Sequence, residues 1–193
     1  GGEAAQNGRA GESTRNAGRA VAVQAVVSNP QAVQRLFDAA ETLALLKPAQ
    51  SDPLLGDHLA ILTNGGGLGV MAVDALTDSG GSLAELSPAT IARLDGLLPK
   101  TWSHGNPVDI VGDADGARYA AAVEAVLDDP NADAVLVLNC PTAITSPEDA
   151  ARAVIGALAR RDEHRPRIVL TSWVGGAAAQ AGRRLLARAR VAC

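Results

Sequence analysis

Aromatic residues are almost absent from this sequence. Phe, Trp and Tyr make up 2% of its 193 residues, namely Phe37, Trp102, Tyr119 and Trp173. Proteins that bind single-stranded nucleic acid stack the bases on aromatic side chains, so this scarcity argues against that class. The core must instead be built from Ala, Val, Leu and Ile, which is typical of α/β proteins with parallel sheets.

Cysteine and long apolar runs are also scarce. The two cysteines, Cys140 and Cys193, lie far apart and indicate neither a disulfide framework nor a zinc site. No apolar run is long enough to span a membrane. The net charge is −4 and the basic residues are scattered, so no nucleic-acid patch is indicated. We therefore expect a cytoplasmic protein with no metal site and with neither membrane nor nucleic acid as a partner.

The pattern of the sequence changes along the chain and predicts three segments. Residues 1–29 are rich in Gly, Ala, Asn and Arg and are predicted to be a tail or linker. Residues 30–48 carry apolar side chains at helical spacing and are predicted to be a linker helix. Residues 49–193 are predicted to form one domain. Its last apolar residues, Val191-Ala192, resemble the start of a strand, so we expect the domain to be truncated at its C-terminus.

Strand-like and helix-like runs alternate through this domain without a break. The predicted strands begin at Leu59 and cover Ser82–Leu86, Asn106–Gly112, Ala134–Asn139 and Arg167–Ser172. Repeated βα units favour parallel strands joined by right-handed crossovers, with helices on both faces of the sheet. The predicted fold class is therefore α/β, with a doubly wound, mainly parallel five-stranded sheet.

The glycine-rich turn after the first strand is the main candidate site. Glycine lets backbone N–H groups approach a ligand closely, and a helix N-terminus attracts anions, so phosphate is the predicted ligand. We expect the amides of residues 65–68 to donate to it and the Asn64 side chain to shape the turn. The predicted phosphate-binding residues are Asn64, Gly65, Gly66, Gly67, Leu68 and Gly69.

Two other interpretations of this turn remain open. The glycines would also be needed if they only let strand and helix pack closely. Alternatively, Gly67-x-Gly69-x-x-Ala72 matches the dinucleotide fingerprint, with Glu85 placed where a ribose-binding acid belongs, which would indicate an NAD(P)-binding Rossmann-type domain.

A second group of polar residues is predicted at the same edge of the sheet. After the fourth strand, the hydroxyls of Thr142, Thr145 and Ser146 precede another helix, although helix capping alone explains Ser146. Asp109, close to Asn106, either holds loops in place or orients a catalytic group. No paired carboxylates, metal ligands or Ser-His-Asp arrangement stand out, so no catalytic residue is predicted in this chain. From the residues alone, the chain is an anion-binding α/β domain.

Several motifs in one order resemble the ligase domain of NDP-forming acyl-CoA synthetases, which are relatives of succinyl-CoA synthetase. The matching segments are Leu62–Val70, Gly105–Ile110, Tyr119, Asp129–Val137 and Pro141–Thr145. The resemblance covers about residues 30–193 and implies a flavodoxin-like domain.

The resemblance also implies a function. Such enzymes interconvert an acyl-CoA, phosphate and a nucleoside diphosphate with the acid, CoA and the triphosphate, through a phosphohistidine in a neighbouring domain. Helix N-termini hold its phosphoryl group, and Asn64–Gly69 would provide one of them. CoA and ATP/ADP with Mg are then expected for the complete enzyme, together with CoA-binding and ATP-grasp domains, while this domain alone binds no cofactor.

The N-terminal segment departs from the pattern of single-chain members of the family. Residues 1–29 contain no histidine, whereas those members carry the phosphorylated histidine ahead of the linker helix. The chain is thus expected to be inactive alone. An alternative is that it serves as a regulatory acyl-CoA-sensing module of a protein lysine acetyltransferase.

Overall fold

Strands and helices alternate throughout residues 58–160 and 168–193, which the computed structural model describes. The predicted tail (1–29) and linker helix (30–48) lie outside these residues. The elements, in chain order, are β1 (His58–Thr63), α1 (Gly66–Asp78), β2 (Ser82–Leu83), α2 (Pro88–Leu97), β3 (Val108–Asp109), α3 (Gly116–Leu127), β4 (Ala134–Asn139), α4 (Pro147–Ala159), β5 (Ile168–Trp173) and α5 (Gln180–Arg188).

The five strands form one parallel sheet. Its order is β2–β1–β4–β5, and β3 pairs with β1 beyond β2, on residues Leu62 and Thr63. Because β1 and β4 each have neighbours on both sides, every residue of β4 and all of β1 after His58 are buried. Such strands must be apolar on both faces, which is why the sequence shows unbroken apolar runs there.

Helices cover both faces of the sheet. On one face, Leu68, Ala72 and Leu76 of α1 pack against alternate residues of β1 and β4. Helices α2–α5 contribute to the larger core on the other face. This arrangement confirms the predicted doubly wound α/β fold. None of the helices in the two described segments is both long and apolar enough to cross a membrane.

The side chain of Asn106 fills the gap between β2 and β3 along β1. Its Oδ1 accepts the amide of Ile61 at 2.9 Å, and its Nδ2 donates to the carbonyls of Leu59 and Ala84, each at 2.9 Å. These bonds replace the backbone ladder that a longer strand would make. They explain why β2 and β3 each have only two residues and end short of the predicted Ser82–Leu86 and Asn106–Gly112.

The last described helix does not begin directly after β5. Gly175 and Gly176, which follow that strand, have positive φ angles, of 115° and 59°, which a right-handed helix does not allow. Helix α5 therefore begins at Gln180. Beyond it, Ala192 makes a parallel bridge to Leu170 at the outer edge of β5.

We predict that Asn106→Ala lowers the free energy of unfolding by about 2–4 kcal/mol, because it removes the partner of the Ile61 amide and of the Ala84 carbonyl, and one of the two donors to the Leu59 carbonyl. Asn131→Ala is the matched control, since its side-chain amide makes one exposed bond, to the carbonyl of Glu85. We expect that variant to lose less than about 1.5 kcal/mol. Urea unfolding of both variants measures the difference, and equal losses would contradict the bridging role of Asn106.

Candidate functional site

The carboxyl ends of β1 and β4 are joined by one side chain. Asn64, which is 2% exposed, accepts the amide of Cys140 through Oδ1 at 2.7 Å and donates through Nδ2 to the Cys140 carbonyl at 2.8 Å. A buried pair of bonds of this kind fixes both chain segments. The shaping role predicted for Asn64 therefore has a concrete geometry.

Tyr119 supports the same edge from the opposite face of the sheet. Its hydroxyl donates to the carbonyl of Leu138 at 3.2 Å and accepts from Nδ2 of Asn139 at 2.9 Å. Burial raises the pKa of Tyr119 well above its ordinary value, so the hydroxyl remains a donor at any physiological pH. The end of β4 is thus held from within the core.

The glycines of the turn differ in what surrounds them. A Cβ on Gly65 would lie 2.8 Å from Sγ of Cys140, and one on Gly66 would lie 2.7 Å from Oδ2 of Asp109. A Cβ on Gly67 would meet no atom within 4 Å in the described part of the chain. Close packing alone therefore explains glycine at positions 65 and 66 but not at position 67.

Two of the four predicted amide donors are already bonded within the chain. The amide of Gly65 donates to Oγ1 of Thr63 at 3.0 Å, and that of Leu68 donates to the Gly65 carbonyl at 2.9 Å. Within residues 58–160 and 168–193, the amides of Gly66 and Gly67 have no acceptor, and α1 lacks a side-chain cap. Gly69 also donates to the Gly65 carbonyl, at 3.1 Å. The donors left for a ligand are those of Gly66 and Gly67.

A carboxylate lies at the start of α1. Asp109 accepts the amide of Val111 through Oδ1 at 2.9 Å, while its Oδ2 faces Gly66. Burial, with a further contribution from the charge of Asp109, raises the pKa of the neighbouring Cys140 thiol. Asp109 therefore does hold its loop, as one of its two predicted roles required. It also places a negative charge beside the two free amides.

The start of α4 is capped by a side chain and carries acidic residues, unlike the start of α1. Thr142 and Thr145 bond to each other through their hydroxyls at 2.8 Å, and Ser146 caps the helix by accepting the amide of Asp149 at 3.3 Å. Glu148 and Asp149 place acidic groups in its first turn. Since α4 lies on the face opposite α1, the two helix ends share an edge of the sheet but not a face. Of the two ends, α1 is the better suited to an anion.

The sequence patterns did not single out Arg118, which bonds the loop after β3. Arg118, in the first turns of α3, donates through Nη1 to the carbonyl of Ile110 at 3.1 Å and pairs with Asp113. The arginine lowers the pKa of the Asp113 carboxyl, first through their hydrogen bond and then through its charge. In the sequence, the spacing of Asp115 and Arg118 indicates only a helix cap. Nothing in it predicts that the Arg118 side chain bonds Ile110, just after β3.

Val111, at the end of this loop, has an unfavourable backbone conformation. Its φ is 70°, a region where β-branched residues are outliers. The turn carries the chain to Gly112, where a Cβ would lie 3.7 Å from the Asn64 carbonyl and 3.9 Å from Cγ2 of Thr142. The loops after β1, β3 and β4 therefore meet at one place.

A metal site is not indicated in the described segments. They bring together no group of three His, Cys, Asp or Glu side chains that could hold a metal ion. The chemistry of the site is therefore that of backbone amides, one carboxylate, one guanidinium and a few hydroxyls.

Fold and site together define an α/β domain that offers free amides at the carboxyl edge of a parallel sheet. A family model described as "Ligase-CoA domain" matches residues 59–187, which is most of the chain. The chain belongs to the Ligase-CoA domain family. The resemblance to NDP-forming acyl-CoA synthetases is thereby confirmed, and the ligase-domain interpretation is favoured over a dinucleotide-binding domain.

Proteins of known activity match the chain over part of their length. It is 41% identical over 138 residues to acetate–CoA ligase (ADP-forming) I of Archaeoglobus fulgidus, covering 72% of this chain and 19% of that protein. It is 34% identical over 153 residues to the α subunit of acetate–CoA ligase (ADP-forming) I of Pyrococcus furiosus, covering 79% of this chain and 31% of the subunit. The chain thus spans less than a third of either relative.

A solved structure shares the fold. The dinucleotide-forming acetyl-coenzyme A synthetase 1 of Candidatus Korarchaeum cryptofilum, in complex with phosphate and ADP, superposes with a TM-score of 0.67 and 31% identity. The match covers 81% of this chain and 32% of that one. The domain boundary at residue 49 and the assignment of ligand-binding residues remain predictions.

We predict that Val111→Gly raises the free energy of unfolding by about 1 kcal/mol. Glycine adopts a positive φ without steric strain, and we expect this gain to exceed the entropic cost of its greater backbone freedom. Val111→Asn serves as a second variant, since asparagine tolerates this conformation without the extra backbone freedom of glycine. Thermal unfolding compares both with the unmodified chain. Destabilisation by both variants would show that Val111 is not strained.

Proposed function

We propose that this chain is the ligase domain of an ADP-forming acyl-CoA synthetase and that its first glycine-rich turn holds a phosphoryl group. The observation that carries this proposal is the pair of amides, those of Gly66 and Gly67, that find no acceptor in the described part of the chain, at the start of a 13-residue helix with no side-chain cap there. Membership of the Ligase-CoA family supports the enzyme class. The names of the relatives, which are acetate–CoA ligases, favour a catalytic parent over a regulatory acetyltransferase module.

The physical basis is the field of the helix. Aligned peptide dipoles leave a partial positive charge at the N-terminus of α1, worth ~0.3–1 kcal/mol to an anion and up to ~2 kcal/mol when partly buried. The two adjacent N–H groups in the first turn of α1 can add hydrogen bonds to the same anion. Gly67 is exposed, so a group carried by another domain can reach it. The chain itself contributes binding and charge stabilisation rather than a nucleophile.

The complete enzyme requires more than this chain. In the proposed reaction, acyl-CoA, phosphate and ADP are interconverted with the acid, CoA and ATP, and a histidine of a neighbouring domain carries the phosphoryl group. CoA-binding and ATP-grasp domains, with Mg and nucleotide, belong to that larger assembly. The described residues bring together no group of three His, Cys, Asp or Glu side chains that could hold a metal ion.

We predict that Gly67→Asp weakens binding of inorganic phosphate by about tenfold or more, since it places a carboxylate at the open start of α1. Gly67→Asn is the matched control, because it has nearly the same shape without the charge, and position 67 has room for either side chain. An NMR titration that follows the amides of Gly66 and Gly67 measures the affinity.

The stability of these variants separates binding from folding. An acidic residue in the first turn stabilises a helix by ~0.3–1 kcal/mol, so Gly67→Asp should unfold no more easily than Gly67→Asn. Phosphate affinities that are equal in the two variants would remove this turn from the site.

We further predict that Asp109→Asn tightens phosphate binding by about threefold to tenfold, because it removes a like charge beside Gly66 while its Oδ1 can still accept the Val111 amide. Isothermal titration calorimetry with phosphate measures the change. Weaker binding in this variant would contradict the view that Asp109 opposes the anion, and would assign it a direct role in holding the ligand.

A further inference from the structure

Arg118 bonds the backbone of the loop after β3 at the point where the pairing with β1 ends. The amide of Ile110 donates to the carbonyl of Thr63 at 2.8 Å, which continues the pairing of β3 with β1. In a regular parallel ladder, the carbonyl of Ile110 would then accept the amide of Gly65. That amide is bonded to Thr63 Oγ1 instead, and Nη1 of Arg118 takes its place on Ile110. The guanidinium therefore occupies the position on Ile110 that the Gly65 amide would take in a regular ladder.

Two of the three guanidinium nitrogens of Arg118 are left unused by its hydrogen bonds to the described residues. Both of its hydrogen bonds, to Ile110 and to Asp113, use Nη1. Nε and Nη2 make no hydrogen bond within the part of the chain that the structure describes. The Arg118 side chain is 22% exposed, against 55% for Asp113. The arginine is therefore the more buried and more firmly held member of the pair. A planar fork with one free edge is the arrangement with which arginine binds phosphate.

Resting on the proposed function, we propose that Arg118 is a binding residue for the phosphoryl anion held by Gly66 and Gly67, and that Asp113 competes with this anion for the guanidinium. The arginine supplies the full positive charge that the two amides lack, and it offsets the negative charge of Asp109. An incoming phosphate binds the free Nε–Nη2 edge, and its negative charge repels the carboxylate of Asp113, which weakens the pairing on Nη1. The anion is therefore contacted from both faces of the sheet.

A purely structural ion pair and a binding arginine predict opposite results at Asp113. If the pair only held the loop, removing either partner would loosen the site and weaken phosphate binding. If Asp113 competes with the ligand, Asp113→Asn strengthens binding whereas Arg118→Gln weakens it. The lowered pKa of Asp113 agrees with strong pairing in the absence of the anion.

The test is a phosphate titration of four variants of the full chain. We expect Arg118→Gln to weaken binding about tenfold, the order of one charge-assisted hydrogen bond, and Asp113→Asn to strengthen it about threefold. Arg93→Gln and Asp128→Asn are matched controls. They interrupt an exposed Arg–Asp pair, joined at 2.6 Å at the other end of α3, and should leave the affinity unchanged.

A second arm replaces phosphate by a peptide carrying a non-hydrolysable phosphohistidine analogue, which distinguishes a free anion from one delivered on a histidine. Loss of affinity in Arg118→Gln, in whichever arm the unmodified chain binds, supports the proposal. Binding that is weakened by Gly67→Asp but unchanged in Arg118→Gln overturns this inference and leaves the proposed function intact. Weaker binding in Asp113→Asn overturns the competition. Absence of binding by the unmodified chain in both arms overturns the proposed function together with this inference.

Discussion

The site depends on how closely the turn after β1 passes its neighbours. Cys140 and Asp109 approach Gly65 and Gly66 so closely that a Cβ at either position would lie less than 3 Å from their side chains. Asn64 fixes this geometry by bonding both backbone groups of Cys140. Because the turn is pinned in this way, α1 begins at Gly66 with two amides that have no acceptor among the described residues, at the sheet edge where β3 and β4 also end.

Charge at this edge is balanced by residues from different elements. The carboxylate of Asp109 and the field of α1 attract each other, which stabilises the apo turn but opposes an anionic ligand. Arg118 of α3 bonds the Ile110 carbonyl just after β3, and its positive charge is partly neutralised by Asp113. Under the proposed function, binding of a phosphoryl group rearranges charges that are already present. We therefore expect its affinity to depend on Asp109, Arg118 and Asp113 as well as on the glycines.

The sequence predicted local features well and long-range contacts poorly. The buried runs of β1 and β4 and the capping serine of α4 follow from composition and spacing, and the structure has them where they were expected. The two-residue length of β2 and β3 was not predictable, because it depends on Asn106 bonding to chain segments 22 to 47 residues away. The hydrogen bond from Arg118 to Ile110 could not be predicted for a related reason. It depends on where β3 ends against β1, which side-chain patterns do not encode.

A crystal structure of this chain with bound phosphate would show whether Gly66 and Gly67 hold the anion. We expect phosphate oxygens within about 3.2 Å of the backbone nitrogens of both glycines, with the guanidinium of Arg118 turned towards them. Phosphate found at the start of α4, or water on both glycine amides at saturating phosphate, would contradict it.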